Sequence, residues 1–241
     1  TIVVMVGVSI SSKASDDEHP YGHERIECIA AILLAFVLLL TGLGIGIDGM
    51  KKITSGAYAE LQIPGRLALI AAVISIVVKE WMYWFTRHAA KKINSGALMA
   101  DAWHHRSDAL SSVGSFVGIL GARMGFPVLD SVACVIICVF IVKAAYDIGK
   151  DAFSRMVDKS CDRGVSKRMG EVVLAQQGVL ALDDIRTRVF GSRVYVDIEI
   201  SADASLPLAQ AHAIAEQVHD VIEAQFPEVK HCMVHVNPMI N

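Results

Sequence analysis

The stretch IAAILLAFVLLLTGLGIGI, residues 29–47, runs for nineteen positions without a charge. At about 1.5 Å of helical rise per residue it nearly matches the ~30 Å hydrocarbon core of a bilayer. Its small residues suit close contact between helices. Asp48 and the pair Lys51-Lys52 end it. Working outward, further spans are expected from near Leu67 to about Phe85, from about Ala97 to Ala122, and from about Val128 to Ile148. Lys79 and Glu80 interrupt the first of these. Lys79 is expected to snorkel to an interface, where Trp81, Tyr83 and Trp84 form an aromatic belt. The opening TIVVMVGVSI is too short to span and lacks the basic stretch and cleavage site of a signal peptide. It is expected to be the last half of a membrane helix in a truncated chain.

Composition agrees with a membrane reading. Of 241 residues, 54% are hydrophobic and only 20% charged, against about 45–50% and about 25% in soluble domains. With 22 basic and 25 acidic residues the net charge is −3, which argues against nucleic acid as the main partner. Eight basic residues flank the spans on the side of the C-terminal segment and four on the other, so that segment is expected in the cytoplasm. The cysteines (Cys28, Cys134, Cys138, Cys161, Cys232) form no CxxC pair. Reduced thiols are expected, with Cys134 and Cys138 as small packing residues in an apolar run.

Beyond position 150 the pattern changes. Residues 164–178 have helical periodicity, while IRTRVF (185–190) and RVYVDIEI (193–200) alternate with period two around a Gly191-Ser192 turn. LPLAQAHAIAEQVHDVIEAQF (206–226) reads as a helix with Pro207 in its first turn, and HCMVHV (231–236) as a last strand. The order αββαβ predicts a ferredoxin-like α+β domain, a small antiparallel sheet with helices on one face. The domains are expected at 1–155 and 156–241.

Charge inside a span is costly and marks function by default. In ALMADAWHHRSDALSS (97–112), Asp101, His104, His105 and Asp108 recur at spacings of three and four, along one helical stripe. His104 and Asp108 can direct an imidazole nitrogen and a carboxylate oxygen at one point. That is half of a tetrahedral divalent-metal site, and mixed N and O donors favour zinc over magnesium or calcium. Asp101, His105 and Arg106, nearer the entrance, are expected to be structural or electrostatic. The loop SSKASDDEHPYGHERIE holds His19 and His23 beside Asp16, Asp17 and Glu18, which suits either one more cation or plain solvation. In the C-terminal segment Asp197, His212, His231 and His235 are weaker candidates, and His219 is read as helix surface.

These residues resemble the cation diffusion facilitators, proton-coupled exporters of divalent metals. The pieces that carry the resemblance are DDEHPYGHERIE (16–27), ADAWHHRSDALSS (100–112), MVDKS (156–160), the SLPLAQAH helix and the MVHVNP strand. The resemblance implies a six-helix transmembrane bundle, with the opening half helix as the end of the second helix and the four spans as the third to sixth. The C-terminal segment would be the cytoplasmic metal-sensing and dimerisation domain of a homodimer in a bacterial inner membrane. It also implies a transport site of His104 and Asp108 with two acidic residues expected just upstream of Thr1. A loop site would map to Asp16, His19 and His23, and a metal-bridged dimer site to Asp197, His212 and His235. Arg25 and Asp158 match a charge pair that interlocks the two parts in similar proteins. Asp197 stands where a His is found in such exporters and Asn237 where an Asp is, implying fewer or weaker metals there.

The implied mechanism is alternating access, with protons competing for deprotonated ligands. No GxxxxGK[ST] motif suggests ATP. Zinc leads as transported ion, with iron, manganese or cadmium as alternatives, since AWHHRSDALSS also resembles iron- and manganese-associated branches, including magnetosome proteins. A non-transporting sensor or scaffold is the alternative of another class. A membrane metalloenzyme lacks the HExxH or nucleophile–base pattern it would need.

Overall fold

A computed structural model of the chain describes residues 2–56, 66–126 and 128–240; Thr1, where the expected half helix begins, lies outside them. The chain forms two compact units, 1–153 and 154–241. The first is built from α1 (Ile2–Ser11), α2 (Arg25–Ser55), α3 (Arg66–Lys92), α4 (Gly96–Arg123) and most of α5 (Val128–Met156). Helices α2, α3 and α5 each contain a stretch long and apolar enough to cross a membrane. At 28 residues α4 has the length, but Asp101, Arg106 and Asp108 crowd its N-terminal half. Its polar stripe is accommodated by neighbours instead, because α4 packs against α1, α2 and α3. Small side chains bring the axes close: Ala30 and Leu34 of α2 close on Ala97 and Ala100 of α4, with Val8 of α1 beside them.

On α2, Gly42, Gly46 and Gly49 form a smooth strip against α5, where Ile141, Cys138, and Cys134 with Ser131 fill it. Cys134 and Cys138 are thus packing residues, as their spacing in an apolar run predicts. Helix α2 then stops at Gly56, whose φ of 69° glycine adopts at the least cost. A Cβ at Gly49 would stand 2.9 Å from the Ser131 carbonyl oxygen and 2.9 Å from Cys134 Cβ, whereas one at Gly44 would meet nothing within 4 Å. Gly49→Leu is therefore expected to cost about 1–3 kcal/mol by overpacking, and Gly44→Leu almost nothing. Thermal melts of the two variants in detergent check this: a clear drop for the first only.

The second unit comprises α6 (Arg163–Leu174), β1 (Ala181–Phe190), β2 (Arg193–Asp203), α7 (Leu208–Gln225) and β3 (Val229–Met239). Asp162 caps α6 by accepting the Gly164 N–H at 2.8 Å. Phe190 pairs with Arg193 across the two-residue Gly191-Ser192 turn, and Gly191 has φ 56°. The strand order is β1-β2-β3. Met169 and Val173 of α6, and Val218 and Ile222 of α7, share one core with Val196, Ile198 and Ile200 of β2, so both helices cover the same face. One expectation is corrected: β1 and β2 are antiparallel, but β2 and β3 run parallel. Helix α7 carries the chain back along the sheet, so β3 re-enters in the direction of β2.

Candidate metal sites

On α4, one turn separates His104 from Asp108, and Nε2 stands 4.0 Å from Oδ2 with both side chains half-buried. Donors of one tetrahedral zinc ion lie about 3.3 Å apart, given bond lengths of roughly 2.0–2.1 Å, so a small side-chain rotation closes the pair on a cation. Asp101 and His105 make a parallel pair on the same stripe, at 3.5 Å. Asp101 is only 4% exposed. Arg106 turns to α3, where it reaches Glu80 at 3.6 Å and lies 4.4 Å over the Tyr83 ring.

Two expectations for α3 are corrected. The helix runs on to Lys92, so Lys79 is mid-helix rather than near its end. Instead of snorkelling it donates to the Asp108 carbonyl at 3.3 Å and to Ser112 Oγ at 3.0 Å. Tyr83 belongs to no belt: it is buried under Arg106 and Trp103, while Trp81 and Trp84 are exposed. Period alone does not say which side of an all-round apolar helix meets a neighbour.

The loop after α1 gathers its candidates. Asp16, His19 and His23 offer donor atoms all within 4.8 Å of one another, the one such three-ligand group among the described residues. Asp16 Oδ1 accepts the His19 N–H at 2.8 Å, Asp16 Oδ2 lies 3.5 Å from His23 Nε2, and the two imidazole rings are 4.5 Å apart. His23 is 7% exposed, and its Nδ1 has no hydrogen-bond partner. The backbone N–H of His19 is the main reason that the Asp16 carboxyl is held down at about 2, so its oxygen stays anionic across the physiological range. Lys13 Nζ stands 3.3 Å from the same carboxylate, where an incoming cation would displace it. His23→Ala is expected to weaken zinc binding at this loop at least tenfold, and acidification to release the ion through imidazole protonation. Titration calorimetry at two pH values checks both.

In the second unit the tail candidates do not meet within the chain. Asp197 is opposite Met233 and His235 opposite Glu199, so both lie on the sheet face away from the helices, and Asp197 pairs with Arg188 at 3.5 Å. His212 is on α7, paired with Glu216 at 3.4 Å, and lines a hollow of about 420 Å³ with Asn237. Asn237 has a partner that sequence reading missed: its Nδ2 donates to Asp183 Oδ2 at 2.9 Å, and Ser201 Oγ donates to the same oxygen at 2.7 Å. These donors hold the Asp183 carboxyl below its usual range, which an aspartate at 237 would not do.

His219 is likewise more than helix surface. Its Nδ1 bonds the Cys232 carbonyl at 2.7 Å, and Glu223 Oε1 accepts the Cys232 N–H at 3.3 Å. A carbonyl only accepts, so Nδ1 carries the proton. The two side chains cover backbone groups of the edge strand β3, which guards an edge against stray pairing. The Cys232 thiol is pushed up to about 12, by burial first and then by Glu223 and Asp197, and is unreactive.

Residues 1–157 match the cation efflux transmembrane domain, and residues 162–239 the cytoplasmic domain of cation efflux proteins. The chain is 33% identical to the uncharacterized transporter YdbO of Bacillus subtilis, across 99% of this chain and 80% of that one. Manganese efflux system protein MneP of the same organism is 30% identical across 99% of this chain and 81% of its own. Metal tolerance protein C1 of Arabidopsis thaliana is 33% identical across 98% of this chain, which spans 53% of the plant protein.

Proposed function

Because the chain belongs to the cation diffusion facilitator family of multi-pass membrane transporters, we propose that it exports a divalent metal cation, zinc first, in exchange for protons. The family is one of transporters, which sets aside a membrane metalloenzyme. The observation that carries the reading is the His104/Asp108 pair, an N and an O donor one turn apart on a helix packed among membrane spans. In this reading the helix bundle alternates between two states that expose the pair to opposite sides of a bacterial inner membrane. Metal binds deprotonated imidazole and carboxylate, so protons arriving from outside compete for both ligands and expel the ion. Asp16, His19 and His23 hold a second cation in the loop. The cytoplasmic domain forms a homodimer, bridged by metal through Asp197, His212 and His235 contributed across the two protomers. Metal in the cytosol closes that dimer, and Arg25 and Asp158 tie the closure to the membrane part.

Manganese is the second reading, because MneP is a manganese efflux system protein by name and manganese accepts the same N/O donors. The test is flux of zinc, manganese and iron by the full-length protein in proteoliposomes under an imposed pH gradient. Proton-driven zinc flux is expected to be fastest. Faster manganese flux moves the assignment to that ion. If no ion moves while the loop and tail still bind metal, a sensor or scaffold takes its place.

A further inference from the structure

Lys79 brings a formal positive charge to the middle of a membrane-spanning helix, where an ionisable group is costly and is kept for a purpose. Its ammonium is tethered to α4 by two neutral acceptors, the Asp108 carbonyl and Ser112 Oγ. Ser112 Oγ donates to that same carbonyl at 3.0 Å and lies 3.3 Å from Ser75 Oγ, so the tether is a small polar knot between α3 and α4. A carbonyl and a hydroxyl accept hydrogen bonds without cancelling charge. The neighbouring Glu80 is engaged elsewhere, by Arg106 at 3.6 Å and by Trp84 Nε1 at 3.1 Å. The ammonium is therefore held against the backbone of the residue whose carboxylate is the oxygen ligand in the proposed transport pair. A unit charge acts on a neighbouring carboxylate across several ångströms, the more so the lower the local dielectric.

We infer that Lys79 is a release-tuning residue: a fixed positive charge beside Asp108 that weakens the hold on a divalent cation and speeds its departure. The inference rests on the transporter reading. A transporter gains nothing from binding its cargo too tightly, since tight binding without differential affinity between states slows release. Lys79 sets that balance without occupying a coordination position.

The sign of the effect separates this role from a merely structural one. Lys79→Met, Lys79→Gln and Lys79→Arg are compared with wild type in proteoliposomes, with zinc and manganese as the probe ions and initial flux measured against metal concentration. Lys79→Met removes charge and tether, Lys79→Gln keeps a donor for the Asp108 carbonyl but drops the charge, and Lys79→Arg keeps both. Both neutral variants are expected to show KM and kcat lowered together, each by about tenfold, which is about 1.4 kcal/mol. Lys79→Arg is expected to stay within about threefold of wild type. Lys79→Gln keeps the test decisive if Lys79→Met fails to fold. A raised KM in Lys79→Gln, or unchanged kinetics, overturns the inference and leaves Lys79 as a helix fastener. Absence of flux in wild type overturns the transporter reading itself.

Discussion

Asp108→Ala is expected to lower proton-driven metal flux at least a hundredfold, with the protein still folded. The carboxylate is half-buried on α4 and its partner is the imidazole one turn away, so its removal takes the anionic donor from the pair and leaves only a neutral one. A divalent cation in a low-dielectric bundle requires negative charge to offset its desolvation. Asp108→Asn keeps shape and polarity but not charge, and is expected to fail nearly as badly. His104→Ala should leave more residual flux, since the charge remains. Asp101→Ala provides the contrast: that carboxylate is 4% exposed and paired with His105 at 3.5 Å, so its loss is expected to reduce the yield of folded protein while flux per folded molecule survives. Flux normalised to monodisperse protein after size exclusion separates the two classes. Equal flux in wild type and Asp108→Ala would remove His104/Asp108 from the transport site.

Ile222→Ala is expected to destabilise the cytoplasmic unit by about 2–5 kcal/mol, the range for a large aliphatic side chain truncated in a core. Ile222 is fully buried on α7, packed with Met169, Val173, Val218, Ile198 and Ile200. A unit of this size has a total stability on the order of 5–15 kcal/mol, so one such change removes a large share of it. Urea unfolding of residues 154–241 is the measurement, with a lower midpoint at unchanged slope as the expected result. Leu208→Ala, at a position 85% exposed on the same helix, is expected to change stability by less than about 0.5 kcal/mol. A similar effect of both substitutions would mean that α7 does not hold the core as described.

Much of this architecture is legible in local pattern, because local pattern is what sets it. The uncharged run at 29–47 has nowhere stable to go but a helix in hydrocarbon, and the period-two runs around Gly191-Ser192 admit one hairpin. The i, i+4 spacing of His104 and Asp108 fixes their common face before any fold is known, and Asp16, His19 and His23 are close enough in sequence that one turn gathers them. Tertiary structure decided what depends on partners distant in the chain. Lys79 lies 29 residues from Asp108, and only the packing of α3 on α4 turns it from a snorkelling surface group into a charge at the candidate site. Tyr83 is buried because Arg106 and Trp103 of the next helix cover it. The parallel direction of β3, the edge capping by His219 and Glu223, and the donation from Asn237 to Asp183 across 54 residues have the same origin. Periodicity reports which side chains of one element share a face; the identity of what that face meets is a long-range outcome, set by how buried area and hydrogen bonds are shared among all elements at once.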